Sequence, residues 1–339
     1  MLRVGDLLGS VASCAAFVVT SSGCAEPSHT PAAPVAPSVV LDGGTTRHDV
    51  RFACGETECA AWLFLPPAME RPPVVVMGHG FAGTRDVALP RFAERFARAG
   101  LAALVIDYRH FGASGGSPRQ LVDPWRQLED WRAALAHARS RDDVDGARVA
   151  LWGTSMGAGH ALLTAADHDG LRAVVVQVPL IDTSLEGEAT FYGVSWVVRL
   201  LLHAWADLFA SWLGRGPVLV PAIAPSGGFG MIVDDAAFAA FEKLASPDST
   251  YRNAVAARSI LTFDEYNPAT RSAEIAAPIL LVASRADRFT PFAAAQQLAG
   301  RAANATLEEI EGDHFDVYSS PVLERAAELE AAFLVEHLR

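Results

Sequence analysis

The residues with the clearest chemical potential are a serine held between two glycines, Gly153-Thr154-Ser155-Met156-Gly157. An apolar run, ARVALW, precedes this group, and a segment with helical periodicity, MGAGHALLTAA, follows it. A serine at a sharp turn from a strand into a helix is exposed at the tip, where its hydroxyl can attack a substrate. Glycines are expected where the strand and the helix come too close for side chains. The group therefore predicts a nucleophile rather than a helix-capping serine.

A serine nucleophile needs a histidine that accepts its proton and a carboxylate that orients the histidine. His314 follows the last predicted strand and Asp287 follows the strand before it, so both belong at the same sheet edge as Ser155. The order Ser, Asp, His along the chain is typical of hydrolases built on such sheets. Asp182, at the end of another predicted strand, is the alternative acid. We expect Ser155, Asp287 and His314 to form a catalytic triad.

The negative charge that develops on an attacked carbonyl oxygen needs N–H donors. The amide of Met156 opens the predicted helix, where the helix dipole favours an anion. The loop His79-Gly80-Phe81 follows an apolar strand, and it offers the amide of Phe81 as the second donor. His79 itself is expected to hold the loop by hydrogen bonds and not to act as a base.

Five segments carry a resemblance to a known superfamily: GHGFAG, DYRHFGASGG, GTSMG, SRADRFTP and GDHFDVY. In this order they resemble the α/β-hydrolase superfamily, and most of all the bacterial serine hydrolases related to dienelactone hydrolases and prolyl peptidases. The resemblance covers about residues 40–339. It implies the α/β-hydrolase fold, the same triad, and Phe81 and Met156 as oxyanion donors. It implies little about the substrate.

Strands and amphipathic helices alternate along the chain from about residue 40, which predicts a mostly parallel central sheet with helices on both faces. The alternation is interrupted over about residues 183–276. This insertion opens with VSWVVRLLLHAWADLFASWL, which predicts a helix. Polar residues recur every four positions and share one slowly drifting face, whereas Trp, Leu and Phe lie on the other faces: the polar residues are Ser195, Arg199, His203, Asp207 and Ser211. We expect a helical lid over the site. A membrane span is the alternative, but it would bury Arg199 and Asp207 in lipid, which is costly.

The first 25 residues have the features of an export signal: Arg3, the apolar run LLGSVASCAAFVV and small residues after it. Signal cleavage and lipid attachment at Cys24 both fit this pattern, and membrane contact is expected only with a lipid at Cys24. Residues 26–39 are rich in Pro and Ala and predict a linker to a hydrolase domain over 40–339. The expected location is outside the cytoplasm, secreted or in the cell envelope. A cytoplasmic enzyme with an irregular N-terminus is the alternative.

Two further cysteines, Cys54 and Cys59, flank the segment GETE, which predicts a four-residue turn in a leading hairpin with the two cysteines opposite one another. This placement fits a cross-strand disulfide in an oxidising compartment and fits two free thiols equally well. No Cys/His cluster in the sequence has metal-ligand spacing, so no metal site is expected. The formal net charge of −12 disfavours nucleic acid and anionic lipid as main partners.

These residues together predict a serine hydrolase that needs no cofactor and cleaves carboxylic esters of small molecules. The aromatic insertion indicates an apolar acyl or alkyl site. Peptide or amide cleavage uses the same groups and is the alternative. An aminopeptidase would also need an acidic anchor for the substrate amine, for which Glu186, Glu188 and Asp207 are candidates.

A dinucleotide-dependent oxidoreductase is a hypothesis from another reaction class. Gly78 to Gly83 match the pattern Gly-x-Gly-x-x-Gly after a strand, and Asp107 ends the next strand. However, the segment TRDVALP separates the last glycine from the helix, and this hypothesis leaves the triad residues unexplained. A non-catalytic binding protein on the same fold is a third hypothesis, which the complete triad disfavours.

Overall fold

The computed structural model describes three stretches of the chain, residues 38–181, 193–263 and 266–339. The predicted export signal, most of the predicted linker, and the candidate acids Asp182, Glu186 and Glu188 lie outside these residues. The signal, the linker and the location of the protein therefore stay predictions.

A nine-stranded sheet runs through the centre of the domain. Its strands are β1 Val39–Val40, β2 Thr46–Cys54, β3 Thr57–Leu65, β4 Pro73–Gly78, β5 Ala102–Ile106, β6 Asp145–Thr154, β7 Ala173–Gln177, β12 Ile279–Ser284 and β13 Ala305–Ile310. They are ordered β1-β2-β3-β5-β4-β6-β7-β12-β13. From β5 to β13 each neighbouring pair is parallel, and β1, β2 and β3 extend one edge in antiparallel pairing. The mostly parallel sheet is thus confirmed.

Helices cover both faces of this sheet. Outside the insertion they are α1 Leu89–Arg98, α2 Pro124–Ser140, α3 Met156–Asp167, α6 Phe292–Arg301 and α7 Val322–Leu338. Alternate residues of a strand point to opposite faces, and β4 shows the result. Val74 belongs to the core that contains Trp131 of α2, whereas Val75 belongs to the core that contains Phe92 of α1. A strand buried on both faces explains the uninterrupted apolar run VVVM.

The leading hairpin differs in one detail from the prediction. The turn has only two residues, because β3 already begins at Thr57. Cys54 therefore pairs with Thr57 in the sheet register, and Cys59 pairs with Phe52. The two cysteines are diagonal neighbours and not direct opposites. Their Cα atoms are 5.7 Å apart, and their sulfur atoms form a disulfide.

In its described residues, the insertion between β7 and β12 contains two α-helices and four very short strands. They are α4 Val194–Trp212, β8 Leu219–Val220, β9 Ile223–Ala224, β10 Ile232–Val233, α5 Asp235–Leu244 and β11 Val255–Ala256. Pro and Gly residues are frequent between these elements, as expected for irregular structure. The helix predicted at the start of the insertion is present as α4. A lid function for the insertion stays a prediction.

Helix α4 has an inner face and an outer face, and both carry apolar side chains. The inner face buries Leu200, Ala204 and Asp207 against the rest of the insertion. The Asp207 carboxylate accepts a hydrogen bond from Arg258 Nε at 3.0 Å, so its charge is paired. Within the described part of the chain, no helix combines the length and the apolarity needed to cross a membrane. The membrane-span alternative for α4 therefore lacks support.

Candidate active site

Ser155 lies at the turn between β6 and α3, and its backbone adopts the strained geometry expected of a nucleophile at such a turn. Its φ is 54° and its ψ is −120°, values that a residue with a side chain rarely adopts. The glycines on either side allow it. A Cβ on Gly153 would lie 2.1 Å from the Gly157 carbonyl oxygen, and a Cβ on Gly157 would lie 2.5 Å from the Gly78 carbonyl oxygen. Side chains at these two positions would push the helix away from the sheet.

Ser155, His314 and Asp287 form a continuous hydrogen-bonded chain. His314 Nε2 lies 3.2 Å from Ser155 Oγ, and His314 Nδ1 lies 2.7 Å from Asp287 Oδ2. The parallel strands β6, β12 and β13 end at one edge of the sheet, and these three residues come from the loops that follow them. We call this group of loops, together with the loop after β4, the catalytic edge.

Asp287 is buried and held by several hydrogen bonds. Its Oδ1 accepts the backbone N–H groups of Phe289 and Thr290, each at 2.8 Å. Its Oδ2 accepts the Thr290 hydroxyl at 2.5 Å in addition to the His314 ring. Burial alone would raise the pKa of Asp287, but the hydrogen bonds from His314 and Thr290 outweigh it and hold the pKa below its usual range. The carboxylate therefore stays ionised at neutral pH and can stabilise a protonated His314.

The two predicted oxyanion donors lie beside the nucleophile. Met156 is the first residue of α3, so its N–H has no acceptor within the helix and lies at the positive end of the helix dipole. Phe81 lines the same cavity as Ser155. The loop that carries Phe81 packs so closely against Ser155 that a Cβ on Gly80 would lie 3.0 Å from Ser155 Cβ. The catalytic role of both amides stays a prediction.

His79 is buried beside this loop and supports it. Its Nδ1 donates to the carbonyl oxygen of Gly80 at 2.9 Å, and the Tyr108 hydroxyl donates to the carbonyl oxygen of His79 at 3.0 Å. Burial lowers the pKa of His79 to about 4. A ring that stays neutral and is engaged with the backbone fits the expected structural role and not that of a base.

In the dinucleotide-like pattern, Gly78 and Gly80 are required by close packing against other side chains and not by a bound pyrophosphate. A Cβ on Gly78 would lie 2.4 Å from the Trp131 ring, and Gly80 lies against Ser155 as described. Asp107, which would have to bind a ribose, is fully buried and accepts from the Arg85 and Ala113 backbone N–H groups. These contacts leave the oxidoreductase hypothesis without a site.

One cluster of possible metal ligands occurs among the described residues, at Cys54, Cys59 and Asp130. The two sulfur atoms are bonded to each other, so neither is a thiolate. The Asp130 carboxylate is paired with Arg109 Nε at 2.7 Å. This cluster is therefore unsuited to a metal ion.

A cavity with about 1260 Å³ of empty space, its open mouth included, lies over Ser155 and His314. Side chains from both the catalytic edge and the insertion line it, among them Phe81, Leu180, Phe315, Trp196, Met231 and Phe263. None of the described residues that line it is Asp, Glu, Lys or Arg. The cavity thus offers an apolar surface to whatever is attached to the reacting carbonyl group.

Among the candidate anchors for a substrate amine, Asp207 is the one that the structure describes, and it does not line this cavity. Asp207 belongs to the inner face of α4, where its carboxylate accepts the N–H groups of Val218 and Arg258 and the Arg258 side chain. The four-residue recurrence predicts one polar face that includes Asp207, but in the structure Asp207 is buried on the inner face and paired with Arg258. Glu186 and Glu188 lie outside the described residues.

A buried polar network beneath Ser155 was not foreseen. Gln177 Nε2 donates to Thr154 Oγ1 at 3.0 Å, and the Tyr318 hydroxyl lies 2.6 Å from the same oxygen. Next to this network, Trp152 Nε1 donates to Glu330 Oε2 at 2.9 Å. The only sequence signals for it are the isolated Gln177 in the strand AVVVQ and the isolated Glu330 within the apolar periodicity of the last helix.

Burial raises the pKa of Glu330 to about 8, because the hydrogen bond from Trp152 offsets only part of the cost of burying the charge. The group is fully buried, and Oε1 has no hydrogen-bond partner among the described residues. Glu330 is therefore neutral in the folded protein at pH 7.

The strand order, the serine at the strained turn and the Ser-His-Asp chain define an α/β hydrolase. The family model described as serine aminopeptidase, S33, matches residues 70–314, and the protein belongs to this family. The predicted superfamily and fold are thereby confirmed.

Individual relatives extend this relationship. The protein is similar to the quorum-quenching protein AidA of Acinetobacter baumannii (strain MDR-ZJ06), with 38% identity over 288 residues that cover 84% of this chain and 93% of AidA. The thiohydrolase aneE of Aspergillus aculeatus is 32% identical over 151 residues, 44% of this chain and 48% of aneE. Among solved structures, the α/β hydrolase GrgF from Penicillium sp. sh18 has a TM-score of 0.74 and 25% identity, with 86% of this chain and 99% of GrgF covered.

Proposed function

We propose that this hydrolase cleaves carboxylic esters with an apolar acyl or alkyl group, through an acyl-enzyme on Ser155. The single observation that carries the proposal is the hydrogen-bonded chain from Ser155 through His314 to Asp287, placed at a cavity whose described lining includes no Asp, Glu, Lys or Arg. His314 takes the serine proton as Ser155 attacks the carbonyl carbon. The Phe81 and Met156 amides bind the oxyanion, and Asp287 stabilises the imidazolium.

His314 then gives its proton to the leaving alcohol, which departs as the acyl-enzyme forms. A water molecule attacks this ester while His314 again accepts a proton, and the carboxylic acid is released when Ser155 regains its hydrogen. The same steps serve a thioester, since only the leaving group changes. Both the acyl chain and the alcohol of the substrate would lie against apolar side chains.

Peptide or amide cleavage is the weaker candidate, although the family description is that of an aminopeptidase. An amine substrate would bring a positive charge, which is costly to bury without a partner. No described carboxylate lines the cavity, and Asp207 is already paired. The relative AidA is named for quorum quenching and aneE for thiohydrolysis, which supports small acyl compounds as substrates.

The test is a panel of p-nitrophenyl esters of increasing acyl length, measured beside a thioester and aminoacyl p-nitroanilides. We expect kcat/KM for esters to rise with chain length until the cavity is filled, and to exceed that for the anilides by several orders of magnitude. A fluorophosphonate probe should label the unaltered protein and not the Ser155→Ala variant. Faster turnover of the anilides would refute the proposed substrate class.

We also propose that the protein works outside the cytoplasm. The bonded pair Cys54–Cys59 supports this, because such disulfides persist in oxidising compartments, as does the apolar N-terminal run. Fractionation of the producing cells, with mass determination of the mature chain, tests it. A full-length chain in the cytoplasm with free thiols would contradict it.

A further inference from the structure

The outer face of α4 is an apolar surface that the described chain leaves uncovered. Exposed apolar side chains are concentrated there: Val194, Val198, Leu202, Trp205, Leu208, Phe209, Trp212 and Leu213, with Leu219 just beyond the helix. From their exposed fractions, these nine side chains present on the order of 1000 Å², whereas the largest patch on a typical monomer is roughly 300–600 Å². A patch of this size indicates a partner.

The spacing of the most exposed residues suits packing against another helix. Val198, Leu202, Trp205, Phe209 and Trp212 follow one another at intervals of four, three, four and three residues. This is the seam of a helix that packs along another helix, with apolar residues every 3.5 positions on average.

The charges around the seam select one occupant and one orientation. Between Val194 and Leu219, the exposed charged residues are Arg199 and Arg215, and the only acid, Asp207, is buried. Interfacial membrane helices usually carry a strongly cationic polar face, which α4 lacks because its other face is buried in the domain. The net charge of −12 also opposes anionic lipid.

We propose that a second copy of this chain covers the outer face of α4, with the two α4 helices antiparallel about a two-fold axis at Trp205. In this arrangement Val198 meets Trp212 of the second copy. Arg199 lies opposite Ser211, and Arg215 lies opposite Ser195, so no two cations meet. A parallel pair would instead set each arginine against itself. The exposed area per copy reaches that of standard interfaces, about 800 Å² per partner.

The pairing bears on the site because α4 has two faces. Trp196, near the start of this helix, lines the cavity over Ser155 and donates its indole N–H to the Gly230 carbonyl oxygen at 3.0 Å. A second copy against the outer face would therefore hold one wall of the cavity in place. The proposal does not depend on the identity of the substrate.

The oligomeric state is tested first, by sedimentation velocity and light scattering on the full chain over a wide concentration range. We expect a dimer, and a monomer for the double variant Trp205→Glu, Phe209→Glu. The control is Met69→Glu, which adds a charge at an exposed apolar residue remote in sequence from α4, and which should remain dimeric. Circular dichroism should show all three proteins folded. A monomeric unaltered protein, or a double variant that remains dimeric, overturns the proposal.

The orientation is tested by disulfide cross-linking in a background with Cys14→Ser and Cys24→Ser. Trp205→Cys, at the two-fold axis, should cross-link the dimer under mild oxidation. Val198→Cys should not, because the rise of 1.5 Å per residue separates its two copies by roughly 20 Å along an antiparallel pair. Cross-linking of both variants would mean a parallel pair. A monomer that floats with phosphatidylcholine vesicles would show lipid to be the occupant, and either result refutes the arrangement.

Discussion

The catalytic edge and the outer face of α4 contrast in how their residues are held. At the edge, Asp287 and His314 are buried, Ser155 is half-buried, and each has a defined partner: Asp287 is held by Thr290 and His314, and His314 reaches Ser155. On the outer face of α4, large side chains such as Trp212, which is 79% exposed, project away from the described chain. The first region is organised by its own chain and is ready for chemistry. The second acquires its packing only through a partner.

The largest expected effect is on kcat, and it comes from replacing a serine at the catalytic edge but not from replacing one on α4. Ser155→Ala removes the nucleophile and should lower kcat by roughly 10⁴–10⁶-fold, with an unchanged thermal melting temperature. Ser211→Ala, at an exposed position on α4, is the matched control and should leave kcat unchanged. Steady-state kinetics on one p-nitrophenyl ester measure both. Near-normal turnover of the Ser155→Ala variant would remove the basis of the proposed mechanism.

A second comparison uses two buried aspartates, one from each region. Asp287→Asn should lower kcat about 10⁴-fold, because an amide orients the wrong imidazole tautomer. Asp207→Asn should leave kcat within a few-fold but reduce the free energy of unfolding by about 3 kcal/mol, since Arg258 loses its charged partner. Kinetics and urea unfolding on both variants check this. A large loss of kcat with Asp207→Asn would bring α4 into the chemistry and contradict the division drawn above.

A buried acid on the sheet side provides a pH-dependent test. The pKa of Glu330 is raised from 4.5 to about 8 in the folded state, so the folded protein retains a proton that the unfolded chain loses. Stability should therefore fall as the pH rises from about 4.5 to about 8 and level off above that value. Glu330→Gln should flatten this dependence and raise the free energy of unfolding at pH 7 by up to about 3 kcal/mol. Glu328→Gln, exposed on the same helix, is the control, and equal slopes for the two variants would argue against a neutral Glu330.

The smallest effect concerns the support of the triad carboxylate. Thr290→Val removes the hydroxyl that donates to Asp287 but keeps the shape of the side chain and the backbone N–H bond. The loss of one hydrogen bond to a charged group, about 1.5–3 kcal/mol, should lower kcat by roughly ten- to a hundredfold and leave KM nearly unchanged. A change confined to KM would mean that Thr290 contacts the substrate and does not position Asp287.

Much of the catalytic edge could be predicted because its constraints are local in sequence. The glycines beside Ser155 are required by contacts within one strand–turn–helix unit, and parallel strands bring the loops of Asp287 and His314 to the same side. Residues that act through tertiary contacts could not be predicted in this way. Thr290 and Tyr318 have no pattern of their own, and only the folded chain reveals their bonds to Asp287 and Thr154.

The insertion was predicted less well, for a physical reason. The four-residue recurrence of Ser195, Arg199, His203 and Asp207 suggested a common polar face, but Asp207 turns inward to Arg258, which lies far along the chain. The exposed tryptophans of α4 are as apolar as the residues of the core, so apolarity alone could not distinguish the inner face of this helix from its outer face. The turn of the leading hairpin is also two residues shorter than predicted, because β3 begins at Thr57 and not at Cys59.

The division of the cavity wall has an evolutionary consequence. The reacting groups and about two thirds of the described lining residues lie outside the insertion, while Trp196, Met231 and Phe263 come from one contiguous stretch between β7 and β12. Replacement of that stretch alone would exchange its part of the substrate-contacting surface and leave Ser155, His314 and Asp287 in their own loops. Such a modular division would let homologous enzymes diversify their substrates while they inherit the same reaction, and chimeras that swap residues 193–263 between relatives should inherit the selectivity of the donor.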